Sequence, residues 1–176
     1  MSGSAKKKQK SPFDLVPELA DDQAAVRAAA LELMQEDEAK AGCTDEQVRQ
    51  AQRALQVVLP EGYVHSMRAQ NGGDVKGVPW VTGNVELASI AGVDELQQQY
   101  ELSHEEWGVP QWLIPLGGDG HGWVCFDYRE EEARSSGNNV PIVSCYQDDD
   151  PEYNPVPFAA DWSDFLVKMA ELKEPE

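Results

Sequence analysis

The chain lacks most of what usually announces a function. Its 176 residues hold no apolar run near the roughly 18–20 residues that a helical bilayer span requires. That excludes an integral membrane protein of the helical type. The first residues, MSGSAKKKQKSP, carry lysines with no apolar segment behind them, so no secretory signal is expected. Cysteine is scarce: Cys43, Cys125 and Cys145 form neither a CxxC pair nor a zinc-type spacing. An odd number without a signal peptide predicts reduced thiols and a cytoplasmic protein. Cys125 and Cys145 fall in apolar, strand-like runs, where a free cysteine acts as a small hydrophobe rather than an activated nucleophile.

Positive charge is scarcer still. The net charge is −18, and four of the 14 basic residues (Lys6, Lys7, Lys8, Lys10) sit in the first ten positions, where there are no acids. The remainder therefore carries 10 basic against 32 acidic residues. Such a body repels nucleic acid, because phosphate binding needs cations that release counterions. It attracts a basic protein and speeds the encounter by steering, although high negative charge also serves solubility alone.

Catalytic and ligand motifs are missing too. The stretch LGGDGHGWVCFDY (116–128) packs four glycines, two aspartates and a histidine against an apolar strand. A phosphate loop runs from strand into helix and ends in GK[ST]; this one runs from the strand QWLIPL into the strand WVCFDY. Asp119 and His121 are too few to hold a metal, even with Asp127, and His104 lies far off in sequence. QDDDPEYNP lacks the bend glycine and distal glutamate of a calcium-binding helix–loop–helix. The serines form no nucleophile elbow. No catalytic residue, metal ligand or cofactor is therefore assigned, and an enzyme is the minority reading.

What is present is a sequence of helices followed by strands. Val26, Ala30, Leu33 and Met34 at helical spacing, with Gly42 beyond, predict a helix over about 21–40. Thr44 and Gln47 make a capping box for a second helix with the stripe Val48, Ala51, Leu55 and Val58, closed by Pro60. LPEGYVHSMRAQNGG starts a third helix at its proline, buries Tyr63, Val64 and Met67, and stops at Asn71-Gly72-Gly73. VPWV and NVEL are short strands. Val93, Leu96 and Tyr100 mark a short helix. QWLIPL, WVCFDY and VPIVSCY are the best strands. Trp162, Phe165, Leu166 and Met169 form one stripe of a closing helix from about 161 to 172. The fold class predicted is α+β: one domain with N-terminal helices, a central, mostly antiparallel sheet and a closing C-terminal helix.

The glycines of 117–122 then read as a hairpin, because they permit positive φ where the chain reverses. Alternation places Trp123, Cys125 and Asp127 on one face and Val124, Phe126 and Tyr128 on the other. The turn presents Asp119 and His121 on a rim. For Trp123 the rim and core packing both stand open. A second candidate surface is the loop with Asp148, Asp149, Asp150 and Glu152 between Tyr146 and Tyr153. There a solvated loop and a partner-binding role both stand open.

LPEGYVHSMRAQNGG, WLIPLGGDGHGWVCFDY, PIVSCY, an acidic loop and FAADWSDFLVKM, in this order and spacing, resemble the SUKH superfamily of Smi/Knr-type proteins over about Thr44 to Met169. The resemblance implies an α+β domain over 44–172, preceded by an additional helix at 21–43 and a flexible lysine-containing tail at 1–20. In bacteria it implies an immunity protein that binds a cognate toxin, often a nuclease, by occlusion; eukaryotic relatives look like regulatory scaffolds, including ones tied to cell-wall synthesis. Leu59, Pro60 and Tyr63 would seat the first helix of the module, Asn71, Gly72 and Gly73 would cap it, and Asp127 would end the strand after the turn. The chain departs from the family pattern at Ser66 and Met67, where an aromatic–aliphatic pair is usual, and at Trp123, where a polar or acidic residue is common.

Overall fold

The computed structural model describes residues 11–18, 23–77, 79–82, 85–119, 121–146 and 155–172. Helix α1 (Ala24–Leu33) ends well before residue 40, where its periodicity placed the end. A competing use of the backbone stops it. Met34 bridges Val75 antiparallel, the Gln35 N–H donates to the Asp74 carbonyl at 2.7 Å, and the Lys76 N–H donates to the Leu33 carbonyl at 3.0 Å. These bonds satisfy groups that another helical turn would otherwise have used. Helix α2 (Asp45–Leu55) opens on the expected capping box: Thr44 Oγ1 accepts from the Gln47 N–H at 3.1 Å, and Gln47 Oε1 accepts from the Thr44 N–H at 2.9 Å. It stops at Gln56, which adopts a left-handed conformation (φ 57°), and not at Pro60. Pro60 instead caps the start of α3 (Glu61–Ala69).

Past α3 the chain crosses itself closely. Gly72 has φ +81°, and a Cβ there would lie 2.5 Å from the Gly92 nitrogen, so only glycine fits on both counts. Asn71 serves the neighbouring segment rather than the helix end: its Oδ1 accepts from the Val93 N–H at 2.7 Å. Four two-residue strands follow, β1 (Gly73–Asp74), β2 (Trp80–Val81), β3 (Val85–Glu86) and β4 (Ser89–Ile90). β1 pairs antiparallel with β4, and β2 with β3. Helix α4 (Leu96–Trp107) is longer than expected and ends on Gly108.

The central sheet is a meander of β5 (Leu113–Gly118), β6 (Gly122–Asp127), β7 (Ile142–Tyr146) and β8 (Val156–Ala159). Every neighbouring pair in it is antiparallel. A helix α5 (Glu131–Ser136) bridges β6 and β7, and α6 (Trp162–Leu172) closes the chain. The α+β architecture is thus the one predicted. The sequence pattern does not mark α5, β8 or the two-residue strands β1 and β4, and for the first two the reason is physical. α5 gives the core only Ala133, so it has no apolar stripe. β8 is a short edge strand carrying Pro157, which cannot donate to a ladder.

The sheet has two covered faces. Val124, Phe126 and Tyr128 point into the main core, while Trp123 and Cys125 join a smaller cluster with Val109, Leu113, Val143 and Cys145. At the centre of the main core Tyr63 meets Phe126 and Trp162 edge-on, with ring centroids 5.2 and 5.1 Å apart. Burying a large aromatic side chain of this kind contributes about 1.5–3 kcal/mol. The Tyr63 hydroxyl donates to the Ala91 carbonyl at 2.7 Å, and that of Tyr128 to the Val58 carbonyl at 2.9 Å. Both hydroxyls are therefore satisfied, and burial pushes both phenols well above their ordinary pKa.

Candidate functional site

The glycine-rich turn joins β5 to β6 as expected, and Asp119 organises it. The Asp119 N–H donates to the Gly122 carbonyl at 3.2 Å. In return, Asp119 Oδ1 accepts from the N–H groups of His121 and Gly122, both at 2.9 Å. Its Oδ2 accepts from the Glu86 N–H on β3 at 3.2 Å. Partial burial works against ionisation of this carboxyl. The three backbone donors outweigh it and hold the pKa below the ordinary carboxylate value. Asp119 is thus engaged inside the turn, while His121 stands exposed beside it.

The glycines act differently from the expectation. Gly117, Gly118 and Gly122 are not at positive φ, and Gly120 lies outside the described residues. Close approach is what requires them. A Cβ on Gly117 would sit 2.2 Å from the Ser89 carbonyl oxygen, and one on Gly118 would sit 2.1 Å from that of Gly122. At Gly122 it would meet Val85 Cγ2 at 2.7 Å. The small residues let β4 and the β2–β3 hairpin settle onto this end of the sheet.

Of the two roles open to Trp123, packing is the one it fills. It is 6% exposed and lies in the smaller cluster, its ring centroid 6.0 Å from that of Trp107. It is not on the rim. Tyr146 is 40% exposed and pairs in register with Gly122, so it stands next to the turn. The chain leaves the sheet there and rejoins it at Val156, opposite Ser144. Asp148, Asp149, Asp150, Glu152 and Tyr153 lie outside the described residues. The strands that hold both ends of their loop are fixed at the same end of the sheet as the turn. Thr82 on the β2–β3 hairpin reaches this end as well, its hydroxyl 2.6 Å from that of Ser144. The same hairpin carries Trp80, which is 53% exposed. The sequence pattern marks Trp80 only as a strand residue.

The chemistry-bearing groups elsewhere are dispersed. Asp127 lies at the far end of β6, where the Arg129 guanidinium holds it at 3.0 Å. His104 is on α4, with Nδ1 3.0 Å from the Val109 carbonyl oxygen. Among the described residues, no three or more His, Cys, Asp or Glu side chains gather as a metal site would need. Burial pushes the Cys43 thiol up to about 11 and that of Cys125 well above its ordinary value. Cys145 is lowered, because it accepts hydrogen bonds from the Cys125 thiol and the Trp123 N–H against the effect of burial. That contact between β6 and β7 was not anticipated, and with Cys145 1% exposed it has no open approach.

The model of the SMI1 / KNR4 family (SUKH-1) matches residues 42–168. The chain belongs to the SMI1 / KNR4 family. Its matched region runs from just before α2 to the last turns of α6 and takes in the whole central sheet. Helix α1 precedes the matched region. No curated protein matches the chain in a direct sequence comparison. Among the described residues, no helix is long and apolar enough to cross a membrane.

Proposed function

We propose that the protein is a cytoplasmic immunity protein that binds one cognate basic toxin, a nuclease, and blocks it by occlusion without chemistry of its own. The observation that carries this reading is a convergence at one end of the sheet. There the Asp119-organised turn, exposed His121 and Tyr146, and the two anchors of the loop with Asp148, Asp149, Asp150 and Glu152 come together. A tyrosine supplies contact area at low entropic cost, and acids around it complement the cationic groove of a nuclease. Membership of the SMI1 / KNR4 family supports a protein partner.

The test is kinetic, against the protein encoded by an adjacent toxin gene. Neutralising Asp148, Asp149, Asp150 and Glu152 to Asn and Gln slows association and flattens its salt dependence, because exposed charges act within a Debye length of about 8 Å at physiological salt. Tyr146→Ala mainly speeds dissociation. A neutralised loop that associates as fast as the unsubstituted chain at low salt removes this surface from consideration.

A further inference from the structure

The segment before α1 is held against α2 by a specific set of side-chain donors. Residues 11–18 precede the family-matched region and lie as a short segment across α2. A single 3-10 turn (Pro12–Asp14) gives way to extended backbone, with Leu15 at φ −77° and ψ 130°. Three alternate carbonyls of this segment are captured by side chains. Gln52 Nε2 donates to the Phe13 carbonyl at 2.9 Å and to the Leu15 carbonyl at 2.8 Å. Arg68 donates to the Pro17 carbonyl.

Both anchors are fixed from behind. Gln52 is fully buried, and its Oε1 accepts from the Leu59 N–H at 3.0 Å, which sets the amide so that both N–H bonds face the segment. Arg68 also reaches Asp45 at 3.3 Å and lies 3.3 Å from the ring Nδ1 of buried His65. At the rim, Arg53 pairs with Asp14 at 2.5 Å. Val16 packs against the main core, whereas Leu15 stays 57% exposed. Clefts of about 500 and 410 Å³ remain open along the two sides of the segment, one by Arg49 and Asp45, the other by Val58 and Ser135.

This is the arrangement of a peptide-recognition groove. Side-chain donors read the backbone at every second residue, one half-buried apolar side chain packs against the core, and one acid meets an arginine. The two anchors Gln52 and Arg68 and the rim residue Arg53 belong to the family-matched region, while the segment they hold does not. A buried amide with two donors is costly without acceptors, so the groove needs an occupant. We propose that this face is a binding groove for an extended peptide, that Ser11–Glu18 is its resident occupant in cis, and that a segment of the same chemistry supplied in trans takes its place. That chemistry is an extended, proline-flanked run with an acid opposite Arg53 and a β-branched apolar residue two positions later.

The test uses the full-length chain with residues 11–18 replaced by a glycine–serine sequence of equal length. Its far-ultraviolet dichroism is compared with that of the unsubstituted chain to establish that it is folded. A fluorescent peptide of sequence SPFDLVPE is titrated against both and followed by anisotropy. The expected result is saturable, one-to-one binding to the glycine–serine chain and at least tenfold weaker apparent binding to the unsubstituted chain, whose groove is filled. A peptide with lysine in place of the aspartate binds the glycine–serine chain at least threefold more weakly, and Arg53→Ala, on the exposed rim, abolishes that difference. The proposal is overturned if the folded glycine–serine chain shows no saturable binding, or if both chains bind the peptide equally. Equal binding of the aspartate and lysine peptides overturns the assigned acidic preference. None of these readouts involves a toxin, so they stand or fall apart from the function proposed above.

Discussion

The Trp162 indole N–H donates to the Ser66 hydroxyl at 2.8 Å, deep in the core and across 96 residues of sequence. Ser66 in turn donates to the Gly62 carbonyl one helical turn back, at 2.9 Å. The serine at this buried position becomes intelligible once its partner is seen. It satisfies the one polar atom of the tryptophan that fastens α6 to α3. Ser66→Ala leaves that indole N–H buried and unpaired, at a cost of about 1–3 kcal/mol. The melting temperature should fall by roughly 2–4 °C for each kcal/mol lost. Trp162→Phe in the same background should cost less than it does alone, and a double-mutant cycle with no coupling would show that the bond contributes nothing.

Gly77 and Gly117 separate two reasons for having no side chain. Gly77 has φ +78° with nothing within 4 Å of a built Cβ, so alanine there costs only about 1 kcal/mol of backbone strain. Gly117 has no such φ, but its Cβ would lie 2.2 Å from a backbone carbonyl oxygen, and backbone must move. Gly117→Ala should therefore destabilise by more than Gly77→Ala, by about 1–3 kcal/mol as an overpacking change. Thermal or urea denaturation of both variants gives the order. The reverse order would mean that a positive φ costs this fold more than close approach does.

Asp119 gives a pH signature. Its folded pKa is lowered, so its stabilisation is complete above the ordinary unfolded value of about 3.9 and is lost as the pH falls through the lower folded value. Asp119→Ala should reduce stability by about 1–2 kcal/mol at pH 7, since it removes acceptors from three backbone N–H groups. The gap between the variant and the unsubstituted chain should narrow as the pH is lowered below 4. A gap that stays constant over that range would assign the loss to packing instead of to the carboxylate.

Features fixed by local sequence could be read directly; those fixed by remote contacts could not. The capping box of α2, the stripe of α6 and the alternation of β6 depend on residues within a turn or two, and each appears where its pattern put it. The end of α1 did not, because Met34 pairs with Val75 some forty residues later. The two faces of β6 were legible, but which neighbours cover the Trp123 side was not, since Trp107 comes from α4 and Val109 from the segment after it. Gln52 is the instructive omission. It shares a helical face with Val48, Ala51 and Leu55, and a glutamine in such a stripe signals a buried amide with partners to find. The partners, at 13, 15 and 59, were beyond any local pattern.

Helix α1 lies outside the family-matched region, and its packing decides whether it is an appendage. It packs against α3 and α6, and Ala30, Leu33 and Met34 are all buried in the main core. The bridge from Met34 to Val75 ties its end to β1 as well. Leu33→Ala should therefore cost about 2–5 kcal/mol, the range for deleting a buried leucine. Leu31→Ala two residues away, on a side chain 40% exposed, should stay within about 0.5 kcal/mol of the unsubstituted chain. Deleting residues 1–10, which hold four lysines and little apolar surface, should leave the melting temperature unchanged. Equal, small effects of Leu33→Ala and Leu31→Ala would make α1 a detachable addition. A single cooperative transition, lowered only by Leu33→Ala, places α1 in the same folding unit as the sheet.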